Sequence, residues 1–301
     1  MRTRIDLDGR IVRLSNQDKE LYPGFTKGQV VDYYVELAPV LLPHLANRPV
    51  TLRRWPDGVS GPSFFEKNLS RSAPDWVESV RIATPGSTKD REYADFLLIS
   101  DAATLAWAAN LAALELHIPQ WTVGARGARK LPDLLVFDLD PGPGTSIVEC
   151  CRVAELIGEH LGEHGLTGYP KTSGSKGMQL YVPIRVSTWE RPADYAKRLA
   201  ERLTAEHPRS ITATMSRSAR DGKVFIDWSQ NNGKKTTIAP YSLRGREQPS
   251  ASTPITWDEV RACAAPEDLV FGPEDVLKRV SADGDLLADL HDHPETLPRS
   301  A

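Results

Sequence analysis

The pattern of apolar and polar positions alternates between two periods along the chain. Residues 3–14 alternate apolar and polar across Asp8-Gly9, a two-residue hairpin turn. Thr26 with Gln29 three residues on forms a capping box. The helix it opens carries Val30, Val31, Tyr34, Leu37, Ala38 and Leu41 at helical spacing. Residues 50–55, 76–83 and 93–99 read as strands, and 101–116 as a helix rich in Ala and Leu with His117 at its end. Leu134 to Phe137 are four apolar residues in a row, the mark of a strand buried on both faces. Ser146 with Glu149 caps a helix that runs to about His164. A strand over 178–184, an amphipathic helix over 189–206, an apolar strand over 223–228 and a shorter one over 236–241 follow, and Thr256 with Glu259 caps a helix in the tail. No repeat and no low-complexity linker interrupts the pattern, so residues 1–301 are expected to form a single domain of mixed helix and strand.

Composition narrows the class. Hydrophobic residues make up 40% of the 301 positions, enough for a sizeable core. No apolar run is long enough to span a bilayer and no signal peptide opens the chain, so a cytoplasmic protein without a membrane partner is expected. Cys150, Cys151 and Cys263 fit neither a disulfide framework nor a cysteine zinc site. The net charge of −3 says little, but its distribution says more. Residues 209–246 hold eight Lys or Arg against two acids, whereas 247–301 hold twelve acids against four bases. A basic stretch inside an acidic chain suits a localised polyanion site, although charge runs are usually solvated surface.

The candidate chemistry starts at Asp138 and Asp140, which follow the apolar run. Residues i and i+2 of a strand share a face. Two carboxylates side by side at the end of a buried strand stay ionised when a cation sits between them. Hard oxygen ligands of this kind suit Mg²⁺ or Mn²⁺ carrying substrate phosphates. The alternative is a strand-end turn with solvated aspartates. Residues 169–177, Tyr-Pro-Lys-Thr-Ser-Gly-Ser-Lys-Gly, offer N–H groups, hydroxyls and an ammonium to phosphate oxygens. They do not form a Walker A loop, because Gly177 follows Lys176 and a strand comes next. Asp227 closes another apolar strand and is a candidate third carboxylate. Lys27 falls in the first turn of a helix, where the dipole already favours an anion, so Asn16, Lys19 and Lys27 form a candidate phosphate pocket. Phe64 and Phe65 are either core residues of two layers or an aromatic platform for bases. His117 alone reads more readily as structural than as catalytic.

These parts make an inventory for metal-assisted phosphoryl or nucleotidyl transfer, in which two divalent ions about 3.5–4 Å apart bridge carboxylates. The motifs Phe137-Asp138-Leu139-Asp140-Pro141, residues 172–177, Val224 to Gln230 and Lys235 to Arg246, in that order, resemble the polymerase domain of bacterial ligase D, in the archaeo-eukaryotic primase superfamily. The resemblance covers about residues 14–290. It implies an α/β (α+β) primase fold with an RRM-like catalytic sheet and an intertwined N-terminal α/β subdomain. It implies that Asp138, Asp140 and Asp227 hold two ions, Mn²⁺ or Mg²⁺, and act as the catalytic acids. Ser173, Ser175, Lys176 and Arg244 would bind the triphosphate, with Arg53, His117 and Gln230 near the nucleotide. Asn16, Lys19 and Lys27 would grip a 5′-phosphate, Phe64 and Phe65 would stack on the template, and Arg220 would contact the primer strand. The implied substrates are NTP or dNTP, ribonucleotides preferred, and gapped or broken DNA with a 5′-phosphate. The implied setting is DNA repair by end joining or short-gap filling near the nucleoid, with a separate DNA ligase and the Ku end-binding protein as partners.

There are departures. The stretch from Pro119 to Leu131 is short for that family and unusually basic, and residues 84–92 and 216–222 match its synapsis and primer loops less well. No ligase motif is present. Two rival readings are a catalytically inactive DNA-end binder and a haloacid-dehalogenase-like phosphatase. The second would need Gly-Thr after the aspartate pair, where Pro141-Gly142-Pro143 stands.

Overall fold

The computed structural model describes residues 3–84, 92–124 and 126–298. Most of the expected 84–92 loop, with Pro85, Gly86, Lys89 and Arg91, lies outside the described residues. The chain forms two compact units, each assembled from three separate stretches. The first comprises Met1–Lys130, Ile238–Ser250 and Gly272–Gly284; the second comprises Leu131–Thr237, Ala251–Phe271 and Asp285–Ala301.

In the first unit, Arg4–Leu7 and Arg10–Arg13 form the hairpin expected around Asp8-Gly9. The Thr26 capping box is present, with the Thr26 side chain accepting from the Gln29 N–H. The single helix expected to reach Leu41 is two, Lys27–Glu36 and Ala38–Leu45. Pro39 favours the break, because it suits a first helical turn but lacks the N–H a helix interior needs. The helix expected over 101–116 also stops early. Ala102–Asn110 is helical, Ala112 takes a left-handed φ of 59°, and Ala113–Ile118 is a strand paired with Thr51–Arg54. Sheet pairing overrides the helix propensity of Ala and Leu there. His117 is therefore a strand residue opposite Thr51, not a helix terminus. Phe64–Glu66 adds to the other side of Thr51–Arg54.

The second unit is a sheet in the order Tyr169–Thr172, Met178–Arg185, Leu134–Pro141, Val224–Asp227, Ile211–Thr212, with Glu295–Thr296 against the far end of Met178–Arg185. The period-2 rule places its side chains. Leu135, Phe137 and Leu139 pack into one core with Ile157 and Leu161 of the helix Ile147–Glu163 and with Tyr195, Leu199 and Leu203 of the helix Arg191–Glu206. Leu134 and Val136, on the other face, are covered by Tyr181, Leu287 and Leu290. Asp138 and Asp140 continue that second face beyond its cover, Asp138 half-buried and Asp140 exposed. Among the described residues no helix is long and apolar enough to cross a membrane.

Candidate active site

The antiparallel register sets the site. Asp227 stands directly opposite Asp138, Gln179 stands opposite Asp138 on its other side, and Lys171 stands opposite Gln179. Lys171, Gln179, Asp138 and Asp227 thus form one lateral row on one face of four neighbouring strands. Asp140, two residues along, shares the face of Asp138 and pairs with Phe225.

The row is tied by side-chain amides. Gln179 Nε2 donates to Asp138 Oδ1 at 2.9 Å. Gln230 Nε2 lies 3.1 Å from Asp138 Oδ2 and 3.2 Å from Asp227 Oδ2, donating to both carboxylates. Asp227 also accepts from the Ser229 N–H at 3.0 Å, which starts the short 3₁₀ turn Trp228–Asn231 and carries Gln230 back over the row. Lys235 Nζ sits 3.6 Å from Asp227 Oδ2. Asn231 closes the base: its side chain accepts from the Val136 N–H at 2.8 Å and donates to the Val136 carbonyl at 2.7 Å. Burial first, then the Asp140 charge and the Asp227 charge, push the Asp138 carboxyl up to about 7, against the pull of the Gln179 bond.

The Ser/Gly loop is pressed against this row. Ser173 Oγ accepts from the N–H groups of Ser175 at 3.2 Å and Gly177 at 3.3 Å. A Cβ on Gly177 would lie 2.0 Å from the Leu139 carbonyl oxygen, so only glycine lets the loop lie this close to the aspartate strand. Lys176 is exposed at its tip. Arg220 stacks its guanidinium 3.6 Å from the ring centre of Phe225, the residue opposite Asp140. Its loop is held by a second close approach, since a Cβ on Gly142 would fall 1.8 Å from the Arg220 carbonyl oxygen.

The chemistry of this donor set fits a divalent cation. Hard carboxylate oxygens from facing strands converge, and their mutual repulsion is relieved by an amide and an ammonium that stand where positive charge is wanted. The buried Gln179 Oε1 beside Asp138 has no hydrogen-bond partner among the described residues, a further oxygen of the same kind. As they stand, no three His, Cys, Asp or Glu side chains among the described residues form a ready cage. An ion would have to displace the Gln230 amide.

In the first unit a second group of expected residues converges on one carboxylate. Glu115 is 1% exposed. His117 Nε2 lies 2.8 Å from its Oε2, Arg53 is 3.5 Å from the same oxygen, and Arg244 Nε is 3.4 Å from Oε1. The Gly245 N–H donates to Oε1 at 3.1 Å. Burial would raise the Glu115 carboxyl, but the His117 bond and the Arg244 charge hold it down at about 2. Burial lowers the His117 pKa, partly offset by Glu115. Phe65 packs edge-on to His117 at 5.4 Å and under Arg53 at 5.2 Å, while Phe64 faces Arg54 at 5.2 Å. Both phenylalanines are exposed and neither is a core residue.

The Lys27 site stands in the same unit. Lys27 is buried at the first position of its helix, with Nζ 3.2 Å from Ser15 Oγ. Burial and then the Lys19 charge lower its pKa. Lys19 itself contacts Asp57 at 2.9 Å. The Asn16 carbonyl accepts from the Lys19 N–H at 3.1 Å, with Asn16 in a left-handed φ of 48°. A buried ammonium at a helix N-terminus beside a second cation is a place for an anion.

The family model of the LigD primase-polymerase domain matches residues 26–287. The chain belongs to that family. As a member it is a nucleotidyltransferase of the primase-polymerase type. It is 46% identical over 282 residues to the multifunctional non-homologous end joining protein LigD of Mycolicibacterium smegmatis, covering 93% of this chain and 36% of that one. It is 34% identical over 278 residues to the bifunctional non-homologous end joining protein LigD of Bacillus subtilis, covering 92% of this chain and 43% of that one. The chain therefore spans less than half the length of these relatives. Its structure is similar to the polymerase domain of Mycobacterium tuberculosis ligase D in complex with DNA, with a TM-score of 0.86, 44% identity, and coverage of 93% of this chain and 97% of that chain. The expected primase-polymerase fold is thereby the observed one.

Sequence reasoning missed Glu115, Gln179, Lys171 and Lys235. Lys235 had a signal in its place within the basic stretch, eight residues after Asp227. Glu115 had one in the i, i+2 spacing to His117. Gln179 and Lys171 become visible only once strand register is known.

Proposed function

We propose that this primase-polymerase domain extends a primer 3′ end at short gaps or breaks that carry a downstream 5′-phosphate, preferring ribonucleotides, in non-homologous end joining or short-gap repair. The observation that supports this most directly is Asp138 facing Asp227, with Asp140 two residues along, beside the Ser/Gly loop that carries Ser173, Ser175 and the exposed Lys176. The reaction joins the primer 3′-oxygen to the α-phosphorus of the nucleotide, breaks the bond to pyrophosphate, and releases the hydroxyl proton.

Asp138, Asp140 and Asp227 would hold two divalent ions, Mn²⁺ or Mg²⁺. When bound, such ions neutralise developing charge and lower the barrier to deprotonating the 3′-hydroxyl. In this reading Gln230 and Lys235 release the carboxylates and turn to the nucleotide. Ser173, Ser175, Lys176 and Arg244 take the triphosphate oxygens, and Arg53 and His117 serve the nucleotide. Asn16, Lys19 and Lys27 take the 5′-phosphate. Phe64 and Phe65 offer flat faces to template bases, and Arg220 contacts the primer strand. DNA, nucleotides, a separate ligase and the Ku protein are the proposed partners.

The test is extension of a recessed end, a gap and a single strand, with NTP and dNTP and with Mn²⁺ or Mg²⁺. The reading requires Mn²⁺- or Mg²⁺-dependent extension that Asp138→Ala abolishes, strongest on the gap with a 5′-phosphate. DNA binding without any extension would instead support an inactive end binder.

A further inference from the structure

Resting on the reading above, in which Arg53, His117 and Arg244 serve the nucleotide, we propose that Glu115 is the positioning residue that fixes these side chains as one rigid recognition group. It is not one of the nucleotide's own contacts. Its carboxylate is buried at 1% exposure, so it cannot serve as a solvated ligand. It is instead the common partner of four groups: it is hydrogen-bonded to His117 at 2.8 Å, Arg53 at 3.5 Å and the Gly245 N–H at 3.1 Å, and ion-paired with Arg244 at 3.4 Å. Long cationic side chains lose rotamer entropy when a ligand immobilises them. One buried anion that holds them beforehand removes that cost from nucleotide binding.

The surroundings show that this hub is built rather than incidental. Arg53 lies 4.6 Å from the Trp55 ring centre and 5.2 Å from that of Phe65, so it is clamped between two aromatic faces. Trp55 in turn occupies the space of the missing Gly245 side chain, since a Cβ there would fall 2.0 Å from the Trp55 ring. The segment that carries Arg244 is fixed from below. Tyr33 donates to the Tyr241 carbonyl at 2.7 Å, and Tyr34 accepts from the Leu243 N–H at 3.0 Å. Tyr22 donates to the Arg244 carbonyl at 2.8 Å. Tyr241 is buried with a left-handed φ of 63°, a conformation that costs energy for a non-glycine residue and persists where its surroundings enforce it. Glu115 completes this frame from the strand side. His117 shows its Nε2 edge to Glu115, which leaves Nδ1 as the edge turned elsewhere.

The test is E115Q, which keeps the shape and removes the charge. Steady-state extension on a gapped duplex should show the nucleotide KM raised about ten-fold, the scale of one lost charge-assisted contact. The value of kcat should fall far less, and affinity for the gapped duplex alone should stay within about two-fold of wild type. A purely structural role would lower the active fraction, and so kcat, and leave KM alone. In an Arg244→Ala background E115Q should add less to KM than it does alone, because one of the groups it holds is already gone. Fully multiplicative KM losses, an unchanged KM in E115Q, or equal losses of DNA binding and nucleotide binding each overturn the proposal. Should a melt show E115Q unfolded, E115D replaces it: the shortened side chain must also raise KM, and an unchanged KM refutes. If wild type binds no nucleotide, the parent reading falls and this one with it; an active wild type beside an unaffected E115Q sinks this one alone.

Discussion

Asp138 and Asp227 face each other across adjacent antiparallel strands, and the Gln230 side-chain amide donates to both, at 3.1 and 3.2 Å. The two carboxylates of the candidate metal site thus share one neutral donor. The arrangement balances two carboxylates without fixing a permanent charge between them.

Asp138→Asn should abolish extension yet stabilise the ion-free protein at alkaline pH. The Asp138 pKa is raised to about 7, so between the unfolded value near 4 and that value the folded state binds the extra proton. Stability from this group is therefore lost as pH rises through that window. Thermal melts in chelator should show the variant higher in Tm than wild type at pH 8, by about 2–4 °C for each kcal/mol relieved, and no higher at pH 4. A variant lower at pH 8 would contradict the repulsion.

Lys27→Ala should weaken binding of a gapped duplex carrying a 5′-phosphate about ten-fold, as expected for one charge-assisted contact, and leave the unphosphorylated duplex nearly unchanged. Its pKa is lowered by burial and by the Lys19 charge, and a bound phosphate favours its protonated form. The advantage of the phosphorylated duplex should therefore fade at a lower pH than an ordinary lysine would give. Titrations with both duplexes across pH measure this directly.

Gly177→Ala forces a Cβ to within 2.0 Å of the Leu139 carbonyl oxygen. The loop must lift from the aspartate strand. The expected result is a loss of roughly 1–3 kcal/mol of stability, by analogy with other overpacked sites, together with weakened nucleotide binding. Gly144→Ala, where a Cβ meets nothing within 4 Å, is the control for packing, although its φ of +82° carries its own strain. Denaturant melts and nucleotide titrations separate the two.

DNA affinity should fall steeply with salt, because phosphate contacts release counterions. Lys19→Ala and Arg220→Ala should each reduce the slope of log affinity against log salt by about one where they touch a phosphate. A slope unchanged in Arg220→Ala would remove it from the DNA surface.

Much of this was legible in the chain because it is local. The capping boxes at Thr26, Ser146 and Thr256 and the hairpin at Asp8-Gly9 are short-range chemistry, and all four are present. The paired aspartates were legible because period 2 is a property of any strand. What was not legible depends on partners distant in sequence. The strand Ala113–Ile118 looks helical until Thr51–Arg54 pairs with it, and that pairing turns Glu115 and His117 toward Arg53. The Lys171–Gln179–Asp138–Asp227 row spans nearly 90 residues of chain and is fixed by register alone. No periodicity in one segment reports which residue of another will stand beside it.

The chain passes between its two units five times, at residues 130, 237, 250, 271 and 284. Neither unit is therefore a contiguous fragment, and no single cleavage or fusion point delivers one of them whole. Genetic exchange can move this catalytic body between larger proteins only as an undivided cassette. On the ribosome, moreover, the first unit lacks its last part until residue 284 has emerged, and the second lacks its own until after that.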